Sequence, residues 1–127
     1  PKELTLNEWD EGRGTRVYIG ETSRMTAPLS EGALIYYVSA DTLNFPLRVR
    51  TREVGDRIQL SGMSKPKRLS RLFIDEKVPL TKRDDWPLLV DAHNEVLAVL
   101  RLRVSSKFSR TRRAGDDYVF VVESKKD

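Results

Sequence analysis

The sequence predicts an α+β domain built mostly from antiparallel strands, with one or two short helices. Three observations support this class. Short segments rich in β-branched and aromatic residues recur along the chain between Gly, Pro and Ser residues. Two apolar runs flank a turn-forming pentapeptide, as in a β-hairpin. One further stretch spaces its apolar residues with the period of a helix.

Three strands are predicted from composition alone. They are residues 17–20 (VYIG), 33–40 (ALIYYVSA) and 117–123 (DYVFVVE). A fourth segment, residues 47–53 (LRVRTRE), alternates between uncharged and basic positions, and the period of two in a strand would place its arginines on one face. That predicted row consists of Arg48, Arg50 and Arg52.

Residues 86–104 (WPLLVDAHNEVLAVLRLRV) predict a β-hairpin. The sequence DAHNE supplies turn-forming residues between the two apolar runs. The second arm continues the alternation of a strand, so we expect Arg101 and Arg103 to share one face.

Residues 64–79 (SKPKRLSRLFIDEKVP) contain the best helix candidate, predicted over residues 67–73. Leu69, Leu72 and Phe73 fall on one helical face at i, i+3 and i+4 spacing. The helix must end before Pro79, because the residue before a proline avoids the helical region. The opposite face carries Lys67, Arg68 and Arg71. Such a basic face fits a ligand-binding surface and also an ordinary solvated one.

Composition limits the classes of protein that fit. A chain of 127 residues with 39% hydrophobic and 33% charged residues is expected to fold as one domain with a real core. Cysteine is absent and His93 is the single histidine, which excludes disulfides, thiolate metal sites and histidine clusters. No apolar run spans a bilayer and the first ten residues are not a signal peptide, so we expect a cytoplasmic protein without membrane contact.

Charge is distributed unevenly along the chain. Residues 48–71 hold eight cations against two acids, and residues 101–113 hold six cations and no acid, while the whole chain carries a net charge of only +4. Arginine outnumbers lysine in both segments, as expected where planar, bidentate contacts to phosphate matter. This segregation favours a basic surface for nucleic acid, with an acidic remainder elsewhere.

The candidate RNA-contacting residues come from the strand, the helix and the hairpin. They are Arg50, Arg52, Lys65, Lys67, Arg68, Arg71, Arg83 and Arg103. Structural alternatives stay open for several of them. Arg50 and Arg52 could pair with Glu53 and Asp56, Arg71 with Asp75, and Arg83 with Asp84 or Asp85. Residues 109–117 (SRTRRAGDD) are expected to form a mobile loop that either reaches RNA or is disordered.

Several elements follow one another in a fixed order between residues 48 and 91. They are the pair Arg50 and Arg52, then Gly55 and Asp56, a small-residue loop at Gly62, the basic helix at residues 67–73 ending in phenylalanine, Lys77 with Pro79, Arg83, and a Pro-hydrophobic strand at residues 87–90. In order and spacing they resemble the C-terminal domain of bacterial tRNA(Ile)-lysidine synthetase. The resemblance covers the middle of the chain firmly and the first 40 residues loosely.

This resemblance implies a fold and a function. The implied fold is a β-rich, sandwich-like domain shared with the phenylalanyl-tRNA synthetase β subunit. The implied function is recognition of isoleucine tRNA, chiefly at the acceptor stem, within an enzyme that uses ATP to attach lysine to the wobble cytidine. ATP and Mg²⁺ would then belong to an N-terminal catalytic domain, which would be a partner of this chain. Because the chain begins at Pro1, we expect it to be the excised C-terminal domain.

Independent catalysis is not expected of this chain. The family binds ATP with a Ser-Gly-Gly-x-Asp-Ser loop, and this loop is not in the sequence. The segment EGRGT, which contains Gly12 and Gly14, lacks the serines of that loop and is not followed by a predicted helix. We predict no catalytic residue, no metal ligand and no cofactor here. The family often has glycine where this chain has Arg101, and if that glycine serves a close backbone approach or a positive φ, the local backbone of this chain must differ.

A docking role is the main alternative function. In that case the basic face would pack against an acidic surface of the catalytic domain or of a second subunit, and the sequence leaves a homodimer open. Salt would weaken such packing far less than it weakens RNA binding.

Overall fold

The computed structural model describes residues 2–25 and 29–124, which contain eleven strands and two short α-helices. The strands are β1 (Lys2–Glu3), β2 (Glu8–Gly12), β3 (Thr15–Glu21), β4 (Leu34–Val38), β5 (Arg48–Arg50), β6 (Arg57–Ile58), β7 (Lys67–Arg68), β8 (Leu88–Val90), β9 (Val96–Val99), β10 (Arg103–Val104) and β11 (Tyr118–Ser124). The helices are α1 (Leu69–Asp75) and α2 (Leu80–Arg83). All strand pairs among these elements are antiparallel, so the predicted α+β class is confirmed.

The chain divides into two compact units. The first unit contains Asn44–Ser106 and the initial strand, and the second contains Leu4–Leu43 and the last strand. The expectation of one domain stays a prediction. Within the two described ranges, no helix is long and apolar enough to cross a membrane.

The first unit is built on a five-stranded sheet in the order β1-β5-β8-β9-β10, with a separate two-stranded ribbon formed by β6 and β7. Helix α1 covers an apolar cluster of this unit through Leu69, Leu72 and Phe73, none more than 1% exposed. These are the three residues whose spacing predicted a helix, and their inward face is confirmed. The helix begins at Leu69 and not at Lys67, because Lys67 and Arg68 pair with the neighbouring strand β6.

The carboxyl end of α1 is closed by a Schellman motif. The amide of Val78 donates to the carbonyl of Phe73 (2.9 Å) and the amide of Lys77 donates to that of Ile74 (3.0 Å). Lys77 has the positive φ of 58° that this motif requires, and the buried Val78 packs into the cluster under the helix. The chain therefore turns sharply before Pro79, where the sequence predicted that the helix must stop.

The predicted hairpin is confirmed in its first part. Strands β8 and β9 pair around the turn, and the buried Asp91 carboxylate accepts hydrogen bonds from the amides of His93 and Glu95, both at 2.9 Å. The prediction for the second arm is wrong. Strand β9 ends at Val99, a turn follows, and β10 folds back to pair with β9. Arg101 lies in that turn with φ of 68°, a conformation that no strand residue adopts, so it does not alternate with Arg103.

The second unit is a four-stranded sheet in the order β2-β3-β11-β4. Strand β11 lies between β3 and β4 and pairs with both, and all three lie within or around the predicted strand segments, which are confirmed. One face of the sheet carries a cluster of aromatic rings, with the ring centroids of Phe108 and Phe120 5.2 Å apart. The other face contains Tyr18, Val119 and Val121, with Trp9 and Tyr37 at its margin.

Candidate nucleic-acid interface

Arg50 is part of the folded framework of the first unit. Its guanidinium donates two hydrogen bonds to the carboxylate of Asp56, both at 2.9 Å, and a third to Asn94 Oδ1 at 3.0 Å. The two side chains are only 5% and 9% exposed. The structure thus realises the internal pairing that the sequence left open, and Arg50 is not available as an exposed phosphate contact.

The Arg50–Asp56 pair closes the turn that follows β5. Asp56 Oδ2 also accepts a hydrogen bond from the amide of Glu53 at 2.7 Å. Burial by itself raises the pKa of the Asp56 carboxyl, but the hydrogen bonds from Arg50 and Glu53 outweigh burial and hold that pKa below its ordinary value. Because the chain turns here, the predicted strand at residues 47–53 ends at Arg50, and the predicted row of three arginines does not form.

Arg52 lies just beyond the strand and is also paired. Its Nε and Nη2 atoms donate to Asp84 Oδ1 at 3.1 and 2.9 Å, and its guanidinium lies 5.5 Å from the centre of the Phe73 ring. Asp84 is 84% exposed, so this ion pair is solvated and contributes little to stability. A phosphate could replace such an exposed carboxylate without leaving a buried charge unpaired.

The two-stranded ribbon places Arg57 directly opposite Arg68. The amide of Leu69 donates to the carbonyl of Asp56 beside this pair, so the two arginines form a non-hydrogen-bonded pair, the type in which side chains approach most closely. Cross-strand partners project from the same face, and like charges in that position are destabilising. Both side chains are exposed, and in the part of the chain that the structure describes no carboxylate pairs with either.

The two arginines line a groove of about 590 Å³ together with Arg52, Ser70 and residues 53–56. The acids of this groove already have partners: Asp56 and Glu53 lie against Arg50, and Asp84 pairs with Arg52. Arg50 is shared by two carboxylates, so Arg57 and Arg68 leave the groove and its partners with one net positive charge. An anion with several oxygen acceptors, such as a phosphodiester, suits two guanidinium groups that share one face.

The outer face of α1 keeps one excess positive charge. Asp75 forms a short contact with Lys67 and lies 3.4 Å from Arg71, so one carboxylate serves two cations. The hydrogen bond from Lys67 lowers the pKa of Asp75. The pairing of Arg71 with Asp75 was foreseen, whereas the contact of Lys67 with the same carboxylate was not.

The other predicted site residues have different surroundings. Lys65 is exposed in the loop before β7, with no carboxylate partner in the described ranges. Arg83 donates from Nε to the carbonyl of Val78 at 2.8 Å and so holds the segment between the two helices. Arg103 is 43% exposed and lies 3.8 Å from Glu76.

Residues 109–117 form a hydrogen-bonded turn in the second unit, and their mobility and contact with RNA stay predictions. The buried carboxylate of Asp116 accepts hydrogen bonds from the amide and Nε of Arg113, at 2.8 and 3.2 Å, and its backbone carbonyl accepts one from Arg112. The backbone hydrogen bond from Arg113 lowers the pKa of Asp116. Arg110 lies 5.3 Å above the ring of Tyr36.

Arg57 is the site residue that sequence analysis missed. It follows the Gly55-Asp56 turn and precedes the buried Ile58, a pattern that places its side chain outward. Its importance comes from register, since it faces Arg68 across a ribbon whose strands are separated by eight residues of loop. A single arginine after a turn carries no signal of that pairing.

Arg101 occupies the place where glycine was expected, and its backbone has the φ of 68° for which glycine is favoured. The expected difference from the backbone of the family stays a prediction. An L-residue in this region costs about 1 kcal/mol relative to glycine. The Arg101 side chain is partly buried and lies 4.7 Å from the centre of the Trp86 ring, while Trp86 Nε1 donates to the carbonyl of Leu100 at 2.7 Å.

The glycines of the EGRGT segment lie in a β-hairpin and not in a loop that leads into a helix. Gly14, with Arg13, forms the two-residue turn between β2 and β3, where both residues have positive φ as a type I′ turn requires. A strand follows this turn, so no helix amino terminus is available for a phosphate. Across residues 2–25 and 29–124, no group of three or more potential metal-ligating side chains lies together. The expected absence of cofactors stays a prediction.

Comparisons of sequence and of fold with known proteins point to one family. The sequence pattern of the family described as "TilS substrate C-terminal domain" matches residues 47–122. The tRNA(Ile)-lysidine synthase of Bacillus subtilis (strain 168) is 40% identical over 79 residues, which cover 62% of this chain and 17% of that protein. The enzyme of the same name from Bacillus cereus (strain ATCC 10987) is 31% identical over 122 residues, covering 95% of this chain.

This chain spans only 17% and 24% of the length of those two relatives. A solved structure described as the crystal structure of a TilS C-terminal domain matches with a TM-score of 0.75 and 27% identity. The match covers 98% of this chain and 94% of that one. The sequence pattern, the relatives and the fold agree: this chain belongs to the TilS substrate C-terminal domain family.

Proposed function

We propose that this chain is a tRNA-binding module and that it grips the acceptor stem of an isoleucine tRNA. The observation that carries this proposal is the exposed cross-strand pair of Arg57 and Arg68, two like charges held side by side with no acid between them. Their mutual repulsion is relieved when a phosphate binds to both. The relatives are named tRNA(Ile)-lysidine synthases, which supports a tRNA as the source of that phosphate.

The surface suits recognition by shape and phosphate position. Arg57 and Arg68 project from a ribbon beside helix α1, and the groove next to them includes the fully exposed Val54. An A-form stem offers its phosphates and wide minor groove to such a surface, while its major groove is too deep and narrow for side chains to read. Affinity should therefore depend on charge more than on base sequence.

The chemistry that follows binding is assigned to another part of the protein. We propose that this chain works within an ATP-dependent ligase of the cytoplasm that attaches lysine to the wobble cytidine of isoleucine tRNA. In this proposal ATP and Mg²⁺ are held by a separate catalytic domain, and the present chain contributes position. Its affinity for tRNA is then expected without any turnover of ATP.

The test is a binding titration of this chain with an isoleucine tRNA, and with a duplex copying its acceptor stem, at several salt concentrations. Log K should fall steeply with log salt, with a slope that corresponds to roughly four or more phosphates. The double variant Arg57→Ser with Arg68→Ser should bind at least tenfold more weakly, a loss of about 1.4 kcal/mol. Its stability should be unchanged or slightly higher, because a repulsive pair has been removed.

A matched control removes the same charge from the other unit. Arg13→Ser with Arg24→Ser takes two exposed arginines from the second unit, so it separates the effect of net charge from that of the ribbon. Equal losses in the two double variants would reduce the ribbon to general electrostatic attraction. A folded ribbon variant with unchanged affinity would remove the ribbon from the interface altogether.

One observation favours docking as a second function. Ile74 and Leu80 are large apolar side chains of the first unit that are 53% and 75% exposed. A protein surface would cover them, whereas RNA would not require them. If the chain fails to bind RNA at low salt but associates with a separately produced catalytic domain with little salt dependence, docking becomes the better account.

A further inference from the structure

Arg101 combines three features that are unfavourable in a residue with a purely structural role. Its backbone has the positive φ of 68°. Its side chain is partly buried against Trp86, and its Nε atom is buried with no hydrogen-bond acceptor. Throughout residues 2–25 and 29–124, no carboxylate lies within ion-pair distance of its guanidinium.

The electrostatic consequence is a cation that has lost water and gained no anion. Burial lowers the pKa of the Arg101 guanidinium, and no acid acts in the opposite direction. An arginine side chain still keeps its proton at neutral pH, so the charge persists and its buried N–H stays unsatisfied. Glycine at this position would remove the unfavourable backbone conformation and the unpaired charge together. Unfavourable features of this kind persist where they serve a ligand.

The stacking on Trp86 leaves the guanidinium in a defined orientation. The central carbon of the Arg101 guanidinium lies over the indole ring, 4.7 Å from its centroid, and the indole itself is fixed by its hydrogen bond to the Leu100 carbonyl. A guanidinium held in this way has little conformational freedom left to lose when it binds an acceptor. Arginine binds phosphate well because its guanidinium can donate two parallel hydrogen bonds to one phosphate group.

A row of ring contacts connects Arg101 to the groove that contains Arg57 and Arg68. Arg101 lies over Trp86, Trp86 meets the edge of Phe73 with their centroids 6.3 Å apart, and Arg52 lies over Phe73. Arg52 lines the groove. Arg101 therefore belongs to the same unit as the arginine pair, with Trp86 and the buried Phe73 between it and Arg52.

We propose that Arg101 is a second, separate phosphate-binding residue of the RNA surface, which takes a backbone phosphate of the RNA whose other phosphate lies between Arg57 and Arg68. This inference rests on the proposed function. It extends the interface from the ribbon to the turn between β9 and β10, and it assigns a phosphodiester oxygen as the ligand of the Arg101 guanidinium, bound through N–H groups other than the buried Nε–H.

The experiment compares Arg101→Gly with Arg101→Lys in the full 127-residue chain. Arg101→Gly should bind the acceptor-stem duplex about fivefold to tenfold more weakly at low salt, and the slope of log K against log salt should fall by roughly one. Arg101→Lys keeps the charge and should recover part of the affinity. Because lysine does not present a planar fork, its recovery should be incomplete.

Arg13→Gly is the matched control, since Arg13 is also an arginine with positive φ in a tight turn, in the second unit. It removes the same charge with the same change of residue, and its salt slope should stay that of the unsubstituted chain. Urea unfolding of both glycine variants shows whether each is folded. A structural role for Arg101 would change the unfolding midpoint without moving the salt slope.

The outcomes separate this inference from the function on which it rests. If the unsubstituted chain binds RNA with a steep salt slope and folded Arg101→Gly has the same affinity and slope, Arg101 is overturned as a phosphate contact while the proposed function stands. If the unsubstituted chain does not bind RNA at all, the proposed function and this inference are both overturned. A selective loss in Arg101→Gly, absent from Arg13→Gly, supports it.

Discussion

Arg50 of β5 and the arginine pair of the β6–β7 ribbon belong to the same unit but have opposite roles. Arg50 is buried against Asp56 and closes a turn, while Arg57 and Arg68 face each other in the open. The difference lies in the neighbouring acid. Where a carboxylate follows within one turn, the guanidinium becomes part of the fold; where a second arginine is the cross-strand partner, the charge stays available for a ligand.

The largest expected effect breaks the internal pair. Asp56→Ala leaves the Arg50 guanidinium buried without its carboxylate, so the free energy of unfolding should fall by about 3 kcal/mol or more. Urea denaturation measures the loss. Asp84→Ala is the control, because it removes the partner of Arg52 from an exposed ion pair and should cost no more than about 1 kcal/mol. Equal effects would mean that burial does not distinguish the two pairs.

A pH series sharpens the same contrast. The pKa of Asp56 is lower in the folded chain than in the unfolded one, so its contribution is fully present above the unfolded value of about 4 and is lost as pH falls through the folded value. The difference in unfolding free energy between the unsubstituted chain and Asp56→Asn should thus be largest near pH 7 and shrink below about pH 4. Taking this difference cancels the similar contributions of Asp75 and Asp116. A gap that is constant from pH 7 to 3 would argue against the assigned ion pair.

The smallest expected effect makes two paired cations available. Asp75→Asn releases Lys67 and Arg71 from their shared carboxylate, and tRNA affinity should rise by about twofold to threefold at low salt. Asp41→Asn makes the same change of charge on the second unit and should raise affinity less. The two titrations are run side by side. A larger rise with Asp41→Asn would show that the outer face of α1 does not contribute to binding.

Sequence patterns with a local cause were predictive. The spacing of Leu69, Leu72 and Phe73 depends only on the helical period, and the turn at residues 91–95 depends on the Asp91 side chain and its nearby amides. The first residue of α1 was harder to predict. Lys67 and Arg68 pair with strand β6, nine residues earlier in the chain, and therefore form β7 instead of the first turn of the helix. Local periodicity holds no information about that competition.

The candidate site was predictable in its charge and less so in its members. Lys65, Arg68 and Arg71 lie on the exposed surface as expected, but the sequence offered Arg50 equally to an acid and to RNA, and only the folded turn decides between them. Arg57 became prominent through its register opposite Arg68. The position of Arg101 depends on a backbone turn inside an apparently regular alternation, which side-chain patterns do not reveal.

The β6–β7 ribbon is only two residues long on each side, and its outward pair is repulsive. A bound phosphate would replace that repulsion with attraction on both strands, so the ligand would act as a further cross-strand contact of the ribbon. Binding and local order are then thermodynamically linked: occupancy slows the opening of these strands, and anything that loosens them weakens the grip. The RNA backbone would then stabilise a short β-ribbon whose own cross-strand charges repel each other.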